Sequence, residues 1–255
     1  MDVRIMRDGL QLYGRLDKKN PGKTPIAILF HGFAGNLGYE KESLYQKIAD
    51  SLNKAGIAVI RFDFNGQGKS EGKFNKMNIL NEIGDGIAIL EYVRSLDFVT
   101  DIYVIGHSQG GVVGSMLAGY YPDIIKKLVL LAPAATLKED AVRGECMGTK
   151  YETDHIPAIV FIKDGGHHVG GHYFRTAKLL PIYETAQQYE GPVLCIHGRY
   201  DALVPKEASV GYGEKLKNCM VKIYDHLDHG IEGEDQEKAI SDIQDFLADT
   251  VNCQN

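Results

Sequence analysis

Three things are scarce in these 255 residues, and each scarcity narrows the field. Basic residues do not dominate: 28 Lys and Arg stand against 34 Asp and Glu, for a formal net charge of -6. That balance gives no electrostatic footprint for nucleic acid or an anionic membrane, so small or neutral partners are expected. Long apolar runs are also missing. The opening stretch MDVRIMRDGLQL alternates charge with single apolar residues and holds no continuous apolar core, so neither a secretory signal nor a membrane span is expected. Cysteine is sparse as well. Cys146, Cys195, Cys219 and Cys253 are widely spaced and form no CxxC pair, which gives no sign of zinc or a redox dithiol and fits reduced thiols in a cytoplasmic protein.

What is present is an ordinary globular composition, 44% hydrophobic and 24% charged, on a chain long enough for one large α/β domain with an inserted subdomain. VRIM and LQLYGRL flank RDG as a hairpin would. TPIAILFHG reads as a buried strand, SLYQKIADSLNKAG as an amphipathic helix closed by Gly56, and IAVIRFDFNGQG as a second buried strand running into a glycine-rich loop. Ile79, Leu80, Ile83, Ile87, Leu90 and Val93 recur at helical spacing. DIYVIGHS, GGVVGSMLAGYYP and KKLVLLAP then continue as strand, helix and strand. This alternation predicts a mostly parallel central sheet with helices on both faces.

From Ala134 to about Glu190 the alternation is lost. It resumes with PVLCIHG, the helix-like PKEASVGYGEKLK, the strand MVKIYDH and a last helix from about Glu234. The expected organisation is therefore a core of residues 1–133 and 191–255, with residues 134–190 inserted as a cap over the active site.

The chemistry centres on Gly106-His107-Ser108-Gln109-Gly110, a G-x-S-x-G pentapeptide set where a strand ends and a helix begins. Small flanking residues permit a tight, strained turn and a close strand–helix approach, leaving the Ser108 hydroxyl clear of the sheet edge. An N-cap role would explain a hydroxyl there but not both glycines.

A serine nucleophile needs a base, and the base an orienting acid. In this chain order the acid follows a later strand and the histidine comes last. Asp201 in HGRYDALVP and His229 in DHLDHG fit. The rivals are His226, at the end of the last strand, and Asp225 and Asp228, which share a loop with the histidine; Asp201 also has the alternative role of a turn former. Oxyanion donors are expected at the Gln109 amide, on a helix N-terminus, and at the Phe33 amide after AILFHG. His31 reads as a residue that holds that loop.

LFHGF, FDFNGQGKSEG, GHSQGG, HGRYDALVP and DHG, in this order, resemble the α/β-hydrolase family over nearly the whole chain. RFDFNGQGKSEG, AATLKEDA, DHIP and GGHYFR with LPIYE are more closely similar to the bacterial feruloyl (cinnamoyl) esterases. The resemblance implies a cap that recognises the aromatic acyl part of hydroxycinnamate esters. Its aspartate and tyrosine, which reach the phenolic oxygens, match Asp140 and Tyr173. These two have plainer alternatives, as a solvated residue near a helix start and a core aromatic.

DGGHHVGGHYF departs from that pattern by adding His167, His168 and His172. Flexible glycines and a single nearby carboxylate, Asp164, speak against a metal site there, so no metal and no cofactor is expected. The expected activity is serine-dependent hydrolysis of a small aromatic ester through an acyl-enzyme. A short-chain carboxylesterase, an acylglycerol lipase, a serine peptidase and a non-catalytic ligand receptor are the alternatives, and a homodimer is left open.

Overall fold

The apolar pattern folds into alternating strands and helices for a plain physical reason: every core strand is apolar on both faces and must be covered twice. The computed structural model describes residues 1–249; Cys253 lies outside the described residues. The chain opens with the hairpin β1 (Asp2–Arg7) and β2 (Leu10–Asp17). Asp8 and Gly9 at its turn both take positive φ, as a two-residue link matched to the strand twist requires. There follow β3 (Thr24–Phe30), α1 (Leu44–Lys54), β4 (Ala58–Phe62), α2 (Ile79–Arg94), β5 (Val99–His107), α3 (Gln109–Tyr120) and β6 (Ile125–Leu131). Ser43 caps α1, and Asn78 and Asn81 form a reciprocal capping box at the start of α2.

The next segment holds α4 (Leu137–Arg143), a hairpin of β7 (Glu145–Cys146) and β8 (Thr149–Lys150), a hairpin of β9 (Ile159–Ile162) and β10 (His167–Gly170), then α5 (Gly171–Ala177) and α6 (Ile182–Ala186). The alternation resumes with β11 (Val193–Gly198), α7 (Glu207–Lys215), β12 (Cys219–Tyr224) and α8 (Gln236–Ala248).

Eight strands form one sheet in the order β1-β2-β4-β3-β5-β6-β11-β12. β1 and β2 are antiparallel at one edge; the other six run parallel. Along β3, Ile26, Ile28 and Phe30 enter one apolar cluster while Ala27 and Leu29 enter the other. α2, α3 and α7 cover the first face, and α1 and α8 the second. The chain leaves β3 for β4 on one side and returns to β5 on the other. The carboxyl ends of β3 and β5 therefore flank a switch point, where open α/β sheets place their ligands.

Some expectations from the sequence need correction. Leu80 counts toward the apolar spacing of α2 but is 52% exposed, because the covered arc is carried by Ile79, Ile83, Leu90 and Val93. The last strand stops at Tyr224 rather than at His226, and Asp225 turns away to pair with Arg199. The segment between β6 and β11, which has no single period, is ordered from short pieces. Its Val160, Ile162, Val169, Tyr173 and Phe174 join the main apolar cluster. Among the described residues, no helix is long and apolar enough to cross a membrane. Cys195 and Cys219, 24 residues apart, bring their sulfurs to 3.6 Å across β11 and β12 as free thiols.

Candidate active site

β5 ends at His107 and α3 starts at Gln109, leaving Ser108 alone in the turn at φ 53° and ψ -120°. A non-glycine residue there carries strain of roughly 1–3 kcal/mol, which the surrounding packing must hold. A Cβ on Gly106 would fall 2.3 Å from the Gly110 carbonyl oxygen, and one on Gly110 would fall 2.5 Å from the Phe30 oxygen. Both glycines are thus dictated by close approach of the strand and helix. The Ser108 hydroxyl makes no N-cap bond. It lies instead 2.9 Å from His229 Nε2, and His229 Nδ1 lies 2.7 Å from Asp201 Oδ2.

Asp201 sits on the loop after β11 with its side chain buried. Oδ1 accepts the amides of Leu203 at 2.8 Å and Val204 at 2.9 Å, so the turn-forming role and the role toward His229 are both filled by one carboxylate. Oδ2 faces His229 and also His197 Nε2 at 3.2 Å. Burial alone would raise this carboxyl's pKa. The bonds from His197, His229 and the Val204 amide outweigh burial and hold it well below the ordinary carboxylate range. Because an ionised carboxylate only accepts, His229 Nδ1 carries the proton, and the Nε2 lone pair faces Ser108. His226 stands exposed in the turn after β12, and Asp228 is exposed, accepting the Glu232 amide at 2.9 Å.

A second chain of hydrogen bonds ties the elbow to the loops on either side. The His107 Nε2 donates to the His229 carbonyl oxygen at 2.8 Å, which leaves Nδ1 to accept from the Tyr45 hydroxyl at 2.7 Å. The Gly32 amide donates in turn to the Tyr45 oxygen at 3.3 Å. Burial and the neighbouring His229 lower the pKa of His107 to about 4, so it remains neutral in this role.

The loop after β3 passes directly over the serine: a Cβ on Gly32 would sit 3.1 Å from Ser108 Cβ. His31 holds that loop, donating from Nδ1 to the Gly32 oxygen at 2.7 Å and accepting the Phe64 amide on Nε2 at 3.0 Å. Asp63 accepts the Leu37 amide at 2.7 Å and the Tyr39 hydroxyl from the same loop. Phe33 follows Gly32, its ring packed edge-on against Phe74, His167 and Tyr173. Gln109 opens α3, so its amide has no intrahelical acceptor.

Ser108, His229, Phe33 and Gln109 line one cavity of about 220 Å³, together with Asp140 and Tyr173 from the segment between β6 and β11. Asp140 accepts the Thr136 hydroxyl at 3.0 Å and pairs with Arg143. Burial raises its pKa, and Thr136 and Arg143 pull it back in part. Tyr173 is 2% exposed and donates to Gln109 Oε1 at 2.6 Å, so its hydroxyl can only accept from a ligand. The three added imidazoles go separate ways: His167 packs edge-on to Phe33 and tilted against Phe74, His168 packs tilted against Phe161, and His172 bonds the Lys76 oxygen at 3.1 Å. Among the described residues no group of three His, Cys, Asp or Glu is placed to hold a metal ion.

Several working parts escape a reading of the sequence. His197 reads as strand filler, Tyr45 as one residue of an amphipathic helix, and Glu82 as a polar position in α2. Tyr45 meets His107 from 62 residues away and Glu82 meets Gln67 and Gln109 from 15 and 27, which no local spacing signals, while His197 sits inside a strand with its partners Asp201, Val204 and Ser209 four, seven and twelve residues on.

A family model described as serine aminopeptidase, S33 (Hydrolase_4), matches residues 23–153. The structure of Est1E from Butyrivibrio proteoclasticus with ferulic acid bound is 36% identical, covers 96% of this chain and 97% of its own, and superposes with a TM-score of 0.91. The mitochondrial palmitoyl-protein thioesterase ABHD10 of Rattus norvegicus is 26% identical over 235 residues, 85% of this chain and 71% of the rat protein. A monoacylglycerol lipase of Mycolicibacterium smegmatis is 24% identical over 243 residues, 85% of each chain.

Proposed function

The chain belongs to the α/β-hydrolase family, and from that premise we propose that it is a serine carboxylic ester hydrolase acting on hydroxycinnamate esters. Ser108 Oγ attacks the ester carbonyl as His229 Nε2 takes its proton across 2.9 Å. Asp201 fixes the imidazole's tautomer and stabilises its cation. The Phe33 and Gln109 amides hold the oxyanion. The imidazolium then protonates the leaving alcohol, and water attacks the acyl-enzyme by the same route in reverse.

The observation that carries the substrate reading is the composition of one cavity, in which the Ser108–His229 pair shares walls with Asp140 and Tyr173. A carboxylate has about four acceptor positions. Thr136 and Arg143 occupy two at Asp140, which leaves room for a phenolic O–H, while the Tyr173 oxygen keeps lone pairs for a neighbouring hydroxyl. The similarity to Est1E, whose structure holds ferulic acid, supports the same assignment.

The test is a ratio of ratios. A hydrogen bond to a charged group is worth about 1.5–3 kcal/mol, or roughly 10- to 150-fold. Asp140→Ala should lower kcat/KM by that factor on methyl ferulate or a caffeate ester, and by much less on methyl cinnamate and p-nitrophenyl butyrate. An equal loss on all four esters, or wild-type turnover faster on a monoacylglycerol than on any cinnamate, would overturn the substrate assignment.

A further inference from the structure

Gln109 has a side chain whose placement the reaction scheme leaves unexplained. It is 2% exposed and held at both ends: Nε2 donates to Glu82 Oε2 at 2.7 Å, and Oε1 accepts from the Tyr173 hydroxyl at 2.6 Å. Glu82 lies on α2, fully buried, and its other oxygen accepts from Gln67 Nε2 at 2.8 Å. Among the described residues no cation pairs with this carboxyl. A glutamine gripped at both ends cannot turn about its own backbone without breaking two buried bonds, so the clamp fixes the residue whose amide the mechanism uses.

We propose that Glu82 is a positioning residue for the oxyanion site, clamping Gln109 between α2 and the Tyr173 of α5 and doing so in its uncharged form. The proposal rests on the serine-hydrolase reading above. The groups that face Glu82 explain the preference for neutrality. From its own helix comes Asp85, a like charge, and Arg7 of β1 is engaged with Asp85 at 2.6 Å. Gln67 after β4, Gln109 on α3 and Tyr173 on α5 present only neutral groups. Burial, reinforced by Asp85, raises the Glu82 pKa to about 8, against the downward pull of the two glutamine amides. With the proton in place, a half-turn of the Gln67 amide presents its oxygen as acceptor; that oxygen has no partner otherwise.

The consequence is directional. Below about pH 8 the clamp is neutral. Above it, the clamp carries a negative charge behind the place where the reaction builds an oxyanion, and the two repel through a medium of low dielectric. Turnover should fall by roughly 10-fold as pH rises through that range, with KM changing less, since the charge opposes the transition state more than the neutral ester.

The experiment measures kcat and KM on p-nitrophenyl butyrate from pH 6 to 10, with buffer blanks subtracted, for the wild type, Glu82→Gln and Glu82→Leu. Stoichiometric labelling by a fluorophosphonate counts active serines in each preparation. The wild type should show the alkaline fall in kcat, and Glu82→Gln, which keeps an amide in the clamp but cannot ionise, should lose it. Glu82→Leu, with no clamp, should lower kcat by about 10- to 100-fold at every pH while KM stays within about threefold. An identical alkaline fall in Glu82→Gln, a flat wild-type profile, or unchanged kcat in Glu82→Leu would each overturn the proposal. If Glu82→Leu does not label or fold, the Glu82→Gln profile decides alone. A wild-type protein that does not label at all would overturn the serine-hydrolase reading itself, whatever the profiles show.

Discussion

Replacing Asp201 with asparagine changes one atom, and the surroundings dictate which way the new amide must face. The Oδ1 position is met by two backbone donors, the Leu203 and Val204 amides, so the asparagine oxygen has to remain there. The NH2 group then occupies the Oδ2 position, opposite His229 Nδ1 at 2.7 Å and His197 Nε2 at 3.2 Å. Two donors cannot face each other, and His229 escapes by moving its proton to Nε2, where it points at Ser108 and leaves no base. Keeping the productive tautomer costs a charge-assisted bond, about 1.5–3 kcal/mol, and an unsatisfied buried donor, about 1–3 kcal/mol. The sum of about 2.5–6 kcal/mol corresponds to a loss of roughly 10²- to 10⁴-fold in kcat. KM should change little, because Asp201 does not line the cavity. Steady-state kinetics on p-nitrophenyl butyrate, with 15N shifts reporting the His229 tautomer, check the prediction. A loss below tenfold, or an unchanged tautomer, would refute the reasoning. Stability provides a second check. The folded Asp201 pKa lies below the unfolded value of about 3.9, so its stabilisation is complete above that value and is lost as pH falls through the folded one. The Tm gap between wild type and Asp201→Asn should be steady from about pH 5 to 8 and narrow below about pH 4.

Ser108→Ala should abolish turnover, leaving at most the roughly 10³- to 10⁴-fold over water that binding and an oxyanion site provide, with no fluorophosphonate labelling and a Tm within a few degrees of wild type; a rate near wild type on any ester would sink it as nucleophile. Tyr45→Phe leaves the buried His107 Nδ1 without its donor, a cost of about 1–3 kcal/mol, or a Tm lower by roughly 2–12 °C. It should also lower kcat more than KM, because the His107 bond to the His229 carbonyl loses its far anchor. An unchanged Tm and kcat would show that this chain of hydrogen bonds supports neither the fold nor the placement of His229.

The core was legible because its determinants are local. A strand buried on both faces needs a continuous apolar run, a covering helix needs a 3.6 period, and a nucleophile elbow needs small residues where strand and helix meet, so β3 to β6, β11 and β12 can be read from the chain. Asp201 and His229 stand out because each is a polar residue on a loop just past a strand's carboxyl end. His197 fails that rule. It lies inside β11, yet it turns a polar ring toward Asp201 through contacts four, seven and twelve residues away. Leu80 misleads for the converse reason: helical spacing names a stripe about 100° wide, and only packing decides where its edge falls. The segment from α4 to α6 has no period to read, since its short helices and hairpins are held by the core beneath them and by scattered bonds among themselves, such as the Lys163 amide to Thr149 Oγ1 at 3.1 Å and Lys178 Nζ to the Thr153 oxygen at 2.9 Å.

On the proposed reading, substrate choice and rate share parts in this site, which limits how either can be changed alone. Tyr173 lines the cavity and donates its hydroxyl to Gln109 Oε1, so on that reading any substitution there disturbs the oxyanion side as well as the acyl side. Asp140 touches none of that network. Its partners are Thr136 and Arg143, both within four residues of it on or beside α4. A loss at Asp140 can therefore discriminate among esters, whereas a loss at Tyr173 must be common to all of them with any discrimination superimposed. The two sides of the cavity differ in origin. Ser108, Asp201 and His229 follow the carboxyl ends of β5, β11 and β12, whose positions the sheet fixes. Asp140 and Tyr173 come from the segment between β6 and β11, which lies outside the eight-stranded sheet and has only the short hairpins β7–β8 and β9–β10, with Tyr173 and Phe174 packed into the main apolar cluster.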